Sequence, residues 1–236
     1  MSSGKLLFER LAATLPAGVN AIMTTRRGGV SAEVYSSFNL ADHVGDDLQS
    51  VKKNRALLQV ALALPAEPLW LRQVHSNRIA NSGEADGSYS CKAGEVLCIQ
   101  SADCLPILIW DKRGREIAAV HAGWQGLASG IIENAIRNFE SADLTAWIGP
   151  HIRSCHYEVD IRLYDKFSRY PESLVQGEDA EHWQLSLARV ASLQLSDAGV
   201  DQVMQSDSCT ACDGERFFSY RRDGRCGRMA TLIWMT

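Results

Sequence analysis

The run Ile117-Ala118-Ala119-Val120 is apolar at every position, so the strand it forms must be covered on both faces. A strand with one face in water would alternate apolar and polar residues, and this one does not. The chain therefore needs packed layers on each side of that strand. At 236 residues it can bury roughly three quarters of its unfolded surface and needs no disulfide staples. No internal repeat, low-complexity tract or Pro/Gly-rich linker divides it, so one domain over Met1–Thr236 is the simplest organisation.

Other strands flank this one. Residues 19–23 read as a strand ending at Thr24-Thr25-Arg26-Arg27-Gly28-Gly29. Two arginines beside bare glycine N–H groups suit an anion, although a plain glycine turn with solvated arginines is the commoner arrangement. Asp46 and Asp47 open a helix with apolar residues at Val51, Leu57, Leu58, Val60, Ala61 and Leu62. Residues 69–75 read as a strand delivering His75, and residues 96–99 as a strand stopping at Ser101-Ala102-Asp103-Cys104. Pro106 biases Leu105 towards extended geometry before the apolar run 107–110, which turns at Asp111-Lys112-Arg113-Gly114. After His121-Ala122-Gly123-Trp124-Gln125-Gly126, the residues Leu127, Ile131, Ile132, Ala135 and Ile136 have helical spacing. Further strands are expected at residues 144–148, 200–205, 217–220 and 229–235, with a helix over 185–196. Strands with and without intervening helices favour a mixed α+β sandwich over an alternating parallel sheet.

Charge and cysteine usage narrow the function classes. A net charge of −4 argues against binding nucleic acid through a general positive field. No apolar run approaches the ~20 residues of a membrane span. The opening Met-Ser-Ser-Gly-Lys-Leu-Leu-Phe-Glu-Arg has too short an apolar stretch for a secretory signal. A cytoplasmic protein is expected, whose seven cysteines are thiols, an odd number that cannot all pair.

His75, Cys104 and His121 share a setting, each closing an apolar strand and opening a turn. Two imidazoles and a thiolate suit zinc with a fourth position left to water or substrate. The same residues would serve a metal-free Cys–His nucleophilic pair, and a buried Cys is commonly just a small hydrophobe. Cys209-Thr210-Ala211-Cys212 lacks a second CxxC to complete a four-cysteine set, so a structural or incidental role is expected. The run from Phe217 to Arg228 packs four arginines among aromatics and glycines. Arginine forks suit phosphate and aromatics suit a planar base, in a nucleotide-like ligand or in nucleic acid. A polar hairpin loop is the bland alternative. No Gly-x-x-x-x-Gly-Lys phosphate loop, Rossmann fingerprint, His-Glu-x-x-His pair or zinc-deaminase pattern is present. Six histidines are too few for a blue-copper laccase with its additional multi-histidine copper cluster.

Gln73-Val74-His75, Ala102-Asp103-Cys104-Leu105-Pro106, His121-Ala122-Gly123-Trp124, Ile148-Gly149-Pro150 and Phe218-Ser219-Tyr220-Arg221-Arg222 occur in that order. Thr24-Thr25-Arg26, Asn39-Leu40, Val44-Gly45-Asp46 and Gly227-Arg228 accompany them. The ordered set resembles the YfiH family, also called the laccase-domain or polyphenol-oxidase family, from about residue 19 to the C-terminus. The resemblance implies an α+β fold of two packed mixed β-sheets flanked by helices, an α/β/β/α sandwich. It also implies a metal, zinc or alternatively copper, on His75, Cys104 and His121. The resemblance further implies a metal-dependent purine nucleoside phosphorylase acting on adenosine, inosine, guanosine and methylthioadenosine, with a possible adenosine deaminase side activity.

On this reading the partners are a purine nucleoside and phosphate, with no nucleic acid and no membrane, in a monomer or small homo-oligomer. Arg26, with Arg222, would neutralise phosphate, and Asp86 in Ala85-Asp86-Gly87 would orient a ligand or a metal-bound His. Trp124 or Tyr220 would pack the base. The family usually has Arg after His-Ala-Gly-Trp, where this chain has Gln125. That difference implies a weaker phosphate site, or one completed by another arginine. Two alternatives remain: a copper-dependent polyphenol oxidoreductase, and a Cys–His hydrolase acting on peptidoglycan precursors.

Overall fold

The computed structural model describes residues 8, 9, 11, 13–177, 179 and 181–236. The opening stretch read above for a secretory signal lies largely outside them. The described chain runs through β1 (Phe8–Glu9), β2 (Val19–Thr24), α1 (Leu48–Leu62), β3 (Gly87–Ser90), β4 (Val96–Ser101), β5 (Leu105–Asp111) and β6 (Ile117–Ala122). Helices α2 (Trp124–Ala128) and α3 (Ile131–Ile136) follow, then β7 (Leu144–Ile148), β8 (Glu158–Asp160) and α4 (Ile161–Phe167). After β9 (Leu174–Gln176) and β10 (His182–Leu185) come α5 (Leu187–Asp197), β11 (Gln202–Gln205), α6 (Tyr220–Asp223) and β12 (Met229–Met235).

Two sheets dominate. One has the order β1-β2-β12-β4 and is antiparallel throughout. The other, β11-β7-β5-β6-β3, is mixed because β11 runs parallel to β7. A small third sheet, β8-β10-β9, was not foreseen. Between the two large sheets, Met23, Leu97, Ile99, Met229 and Ile233 meet Leu108, Trp110, Ile117, Ala119 and Trp147. The far side of the mixed sheet places Ile107, Ala118, Val120 and Ala146 against Ile131, Ile132 and Ala135 of α3 and Val190 and Leu195 of α5. The far side of the antiparallel sheet sets Cys98, Ala230 and Leu232 beneath Leu58 of α1. The layers are thus α/β/β/α. The apolar run in β6 is explained, since Ile117 and Ala119 face the partner sheet and Ala118 and Val120 face helices. Each such buried Val, Leu or Ile contributes roughly 1.5–3 kcal/mol.

Four local expectations need correction. Residues 69–75 do not form a strand and pair only singly, Leu69 with Leu97 and Arg72 with Glu84. Their end is drawn away from any ladder because the Asp86 carboxylate captures the N–H groups of Val74, His75 and Ser76. The helix expected over Leu127 to Ile136 is two helices, broken at Gly130, which adopts a φ of 83°. Residues 217–220 are not a strand either. Phe217 and Phe218 are buried in irregular backbone, and Ser219 caps α6 by accepting from the Arg222 N–H at 3.2 Å. Finally, Asp47 does cap α1, but Leu57 and Val60 lie on its exposed face, and buried Asn54 shares the inner face with Val51 and Leu58.

Candidate metal centre

Strand register assembles the site. Leu105 pairs with Ala122 and Pro106 with His121, which sets Cys104, just ahead of β5, beside the end of β6. Gly87 pairs with Val120, and the His121 N–H donates to the Asp86 carbonyl at 2.7 Å, so Asp86 comes alongside His121. Of the three, only His121 lies within a strand. Cys104 sits in the turn between β4 and β5, and His75 in a loop with a φ of 60°. The ligand atoms of His75, Cys104 and His121 nonetheless lie within 4.8 Å of one another. The Cys104 Sγ is 3.8 Å from the His75 Nε2, and the two imidazoles meet edge to face at 4.9 Å. Gly123 leaves room for the triad here. A Cβ at that position would stand 3.0 Å from the Cys104 Sγ and 3.1 Å from the His75 ring.

Asp86 organises this arrangement from beneath. Fully buried, it accepts from the N–H groups of Val74, His75 and Ser76, from the Ser76 hydroxyl, and from the His121 Nδ1 at 2.9 Å. One carboxylate thereby fixes the turn carrying His75 and the ring of His121, leaving the His121 Nε2 for a metal. Left-handed backbone at a residue with a Cβ costs about 1–3 kcal/mol, and these bonds hold His75 in it. Asp103, with a φ of 96°, is held likewise by the Thr210 hydroxyl at 2.6 Å and the Arg221 N–H at 2.7 Å.

The charges are mutually supporting. Burial alone would raise the Cys104 thiol, but the charge and hydrogen bonding of His121, with His75, bring it down to about 6. Burial would lower His121, yet Cys104 and Asp86 push it up to about 9. Burial would likewise raise Asp86, and the bond and charge of His121 with the bonds from Ser76 hold it at about 2. A thiolate is therefore available near neutral pH, the form a metal needs, and a metal binding beside it would displace the proton that His121 holds.

The triad lines a cavity of about 470 Å³ at the end of the two sheets, shared with Gln73, Gln100, Tyr157, Tyr220, Arg221 and Arg228. The other expected residues fall in different places. Tyr220 lines the cavity, and Asp86 lies below it. Trp124 packs against the helix-side core and is not among the lining residues. Arg26 lies outside the cavity, donating to the carbonyls of Ser36 and Gly214 and stacking on Phe218 at 4.6 Å. Arg222 is also outside. Its guanidinium donates to the carbonyls of Thr210, Ala211 and Phe217 and to Asp223, clamping a loop. Gln125 is exposed on α2, away from the lining. The arginines that do line the cavity, Arg221 and Arg228, stand in the same quoted motifs but were not singled out.

Residues 20–236 match the family described as multi-copper polyphenol oxidoreductase laccase. The chain belongs to this family. It is 39% identical over 237 residues to a purine nucleoside phosphorylase of Haemophilus influenzae, covering 93% of this chain and 96% of that one. It is also 39% identical to purine nucleoside phosphorylase YfiH of Escherichia coli, covering 93% and 95% of the two chains. Among solved structures, protein NMB0706 of Neisseria meningitidis superposes with a TM-score of 0.90 at 35% identity, over 98% of each chain. YlmD of Geobacillus stearothermophilus gives 0.89 at 31% identity, over 98% and 99%. These likenesses to family members agree with the α/β/β/α sandwich seen here.

Among the described residues a second group has metal-ligand chemistry: Cys155, His156, Cys209 and Cys212. The sequence reading found the CxxC but not its other half, the adjacent Cys155-His156 pair. That dipeptide was the available signal.

Proposed function

We propose that this chain is a metal-dependent purine nucleoside phosphorylase whose centre is held by His75, Cys104 and His121. The observation that carries the reading is a metal-competent N₂S triad lining a cavity that two arginines also line. The names of the curated relatives supply the reaction class. The donor set fits zinc: a thiolate favoured near neutral pH, two imidazoles, and a glycine that leaves the centre unobstructed. Zinc held by these three residues would supply a Lewis acid able to polarise an oxygen of phosphate or water.

The chain's own residues would do the rest. Arg221 and Arg228 would draw phosphate into the cavity, the role sequence reasoning gave to Arg26 and Arg222. Arg221 is braced for this by stacking on Tyr157 at 4.9 Å and by donating to the His156 carbonyl at 3.0 Å. The purine would pack on Tyr220, an exposed aromatic of the lining. Phosphate fixed beside the ribosyl C1′ would stabilise the cation-like transition state of glycosidic cleavage. Adenosine, inosine, guanosine and methylthioadenosine are the substrates to assay.

Chromatography tests this directly. Zinc-loaded protein with inosine should release hypoxanthine and ribose 1-phosphate only when phosphate is present, and His75→Ala should release neither. Equal base release without phosphate would replace phosphorolysis by hydrolysis. The same N₂S donor set also suits copper, which favours a second reading as a polyphenol oxidoreductase. Intense visible absorption from a copper–thiolate bond, with phenol oxidation, would establish it.

A further inference from the structure

We propose that Cys155, His156, Cys209 and Cys212 form a second metal site, a closed Cys₃His zinc centre that staples two loops beside the cavity. The four residues come from two separate turns. Cys155 and His156 lie in the short 3-10 turn Ser154–His156, and Cys209 and Cys212 in the turn after β11. Their ligand atoms all lie within 4.8 Å of one another.

The spacings match a tetrahedron. The Cys155 Sγ stands 3.9 Å from the Cys209 Sγ and 3.8 Å from the Cys212 Sγ. The His156 Nδ1 stands 3.3 Å from Cys155, 3.4 Å from Cys212 and 4.0 Å from Cys209. Zinc with Zn–S of about 2.3 Å and Zn–N of about 2.05 Å sets tetrahedral S···S edges near 3.8 Å and S···N edges near 3.5 Å. All five distances scatter about those values.

The alternatives fit worse. Small buried hydrophobes would be hidden, but Cys155, His156 and Cys212 are exposed and only Cys209 is buried. All four residues are ligand types soft enough for zinc, and four protein ligands leave no position for substrate, which marks a structural site.

The local packing shows what a staple would do. Among the described residues the buried apolar cluster here holds Ile152, Cys209 and Ala211, with Tyr157 packed against it. Four zinc bonds would fix what so small a cluster fixes poorly. The stapled loops feed the cavity. Ile152 and Tyr157 line it, Thr210 between the two cysteines holds Asp103, and the His156 carbonyl braces Arg221.

The test uses full-length protein purified with zinc and without oxidant. Cys104→Ala, which silences the first centre, should retain one equivalent of zinc by elemental analysis. Adding Cys212→Ser should remove that equivalent and lower the Tm by several degrees. A check independent of any substitution is cobalt loading of the wild type. It should give tetrahedral cobalt bands and charge transfer from four thiolates per chain, three here and one at Cys104. Folded Cys104→Ala protein without zinc, charge transfer from a single thiolate, or a disulfide among Cys155, Cys209 and Cys212 in the purified wild type would each overturn the proposal.

Discussion

The two cysteine–histidine clusters offer the same donor types for the two opposite ends proposed above, and what surrounds each favours one. The triad of His75, Cys104 and His121 has three ligands and lines a cavity of about 470 Å³. His121 is held in β6, Cys104 stands just ahead of β5, and a fully buried carboxylate, Asp86, orients His121 and the His75 turn. The cluster of Cys155, His156, Cys209 and Cys212 has four ligands, lies in surface turns, and has only a small apolar cluster beneath it. An open coordination position on a rigid frame suits chemistry, whereas a full set on loops suits stapling. Ligand count and the rigidity of the support are thus more informative than ligand identity.

The sharpest test of that contrast is Cys104→Ala, which should reduce phosphorolysis at least about a thousandfold while the second cluster keeps its zinc. Turnover assays paired with elemental analysis measure both. Loss of all metal from a folded variant would mean that the two clusters are not separate sites. Next in size is Asp86→Asn, which keeps the shape of the support and removes its charge. Zinc affinity at the triad or turnover should fall about 10–100-fold, read by competition with a chelator and by kcat. Affinity unchanged within about twofold would show that strand β6 alone orients His121.

Thr210→Val probes the connection between the regions. The Thr210 hydroxyl reaches the Asp103 carboxylate at 2.6 Å, and both residues are buried. Leaving that carboxylate short of a partner should cost about 2 kcal/mol of unfolding free energy in urea. Combined with Cys212→Ser, the losses should be non-additive, because Thr210 is held in place by the loop that Cys212 anchors. Strict additivity would show that the staple does not support the cavity wall.

The sequence was most readable where hydrophobic pattern decides the outcome. The fully apolar run at Ile117 to Val120 required two covered faces, and β6 has them. The runs at Leu144–Ile148 and Met229–Met235 became strands with those same limits. Pattern failed where side chains compete for backbone N–H groups, as Asp86 does at residues 74–76 and Ser219 at the start of α6. The triad could be named because each member stands in a distinctive motif. The arginines could not be told apart, since Arg221 and Arg222 are neighbours and only the direction of each side chain separates cavity lining from loop clamp. Cys155 and Cys209 are 54 residues apart, and no local pattern links them.

The smallest effect expected concerns His151, which stands between the two regions. Its backbone pairs with Cys209, its carbonyl accepts from the Thr210 N–H at 3.0 Å, and its Nδ1 lies 2.7 Å from the Gly149 carbonyl. Burial lowers its proton affinity from 6.5 to about 4, against a smaller opposing effect of the Gly149 carbonyl and with a further lowering from Arg153. Between those values the unfolded chain takes up a proton that the folded chain refuses. The stability from the neutral ring is therefore complete above pH 6.5 and is lost as the pH falls towards 4. Over the first pH unit below 6.5 the loss amounts to about 1 kcal/mol. His151→Gln should remove this part of the slope, seen as a smaller shift of urea midpoint between neutral and mildly acidic buffer at matched zinc concentration. Equal slopes in the two proteins would mean that the ring is solvated in the native state, and that the segment joining the two clusters opens far more readily than its burial indicates.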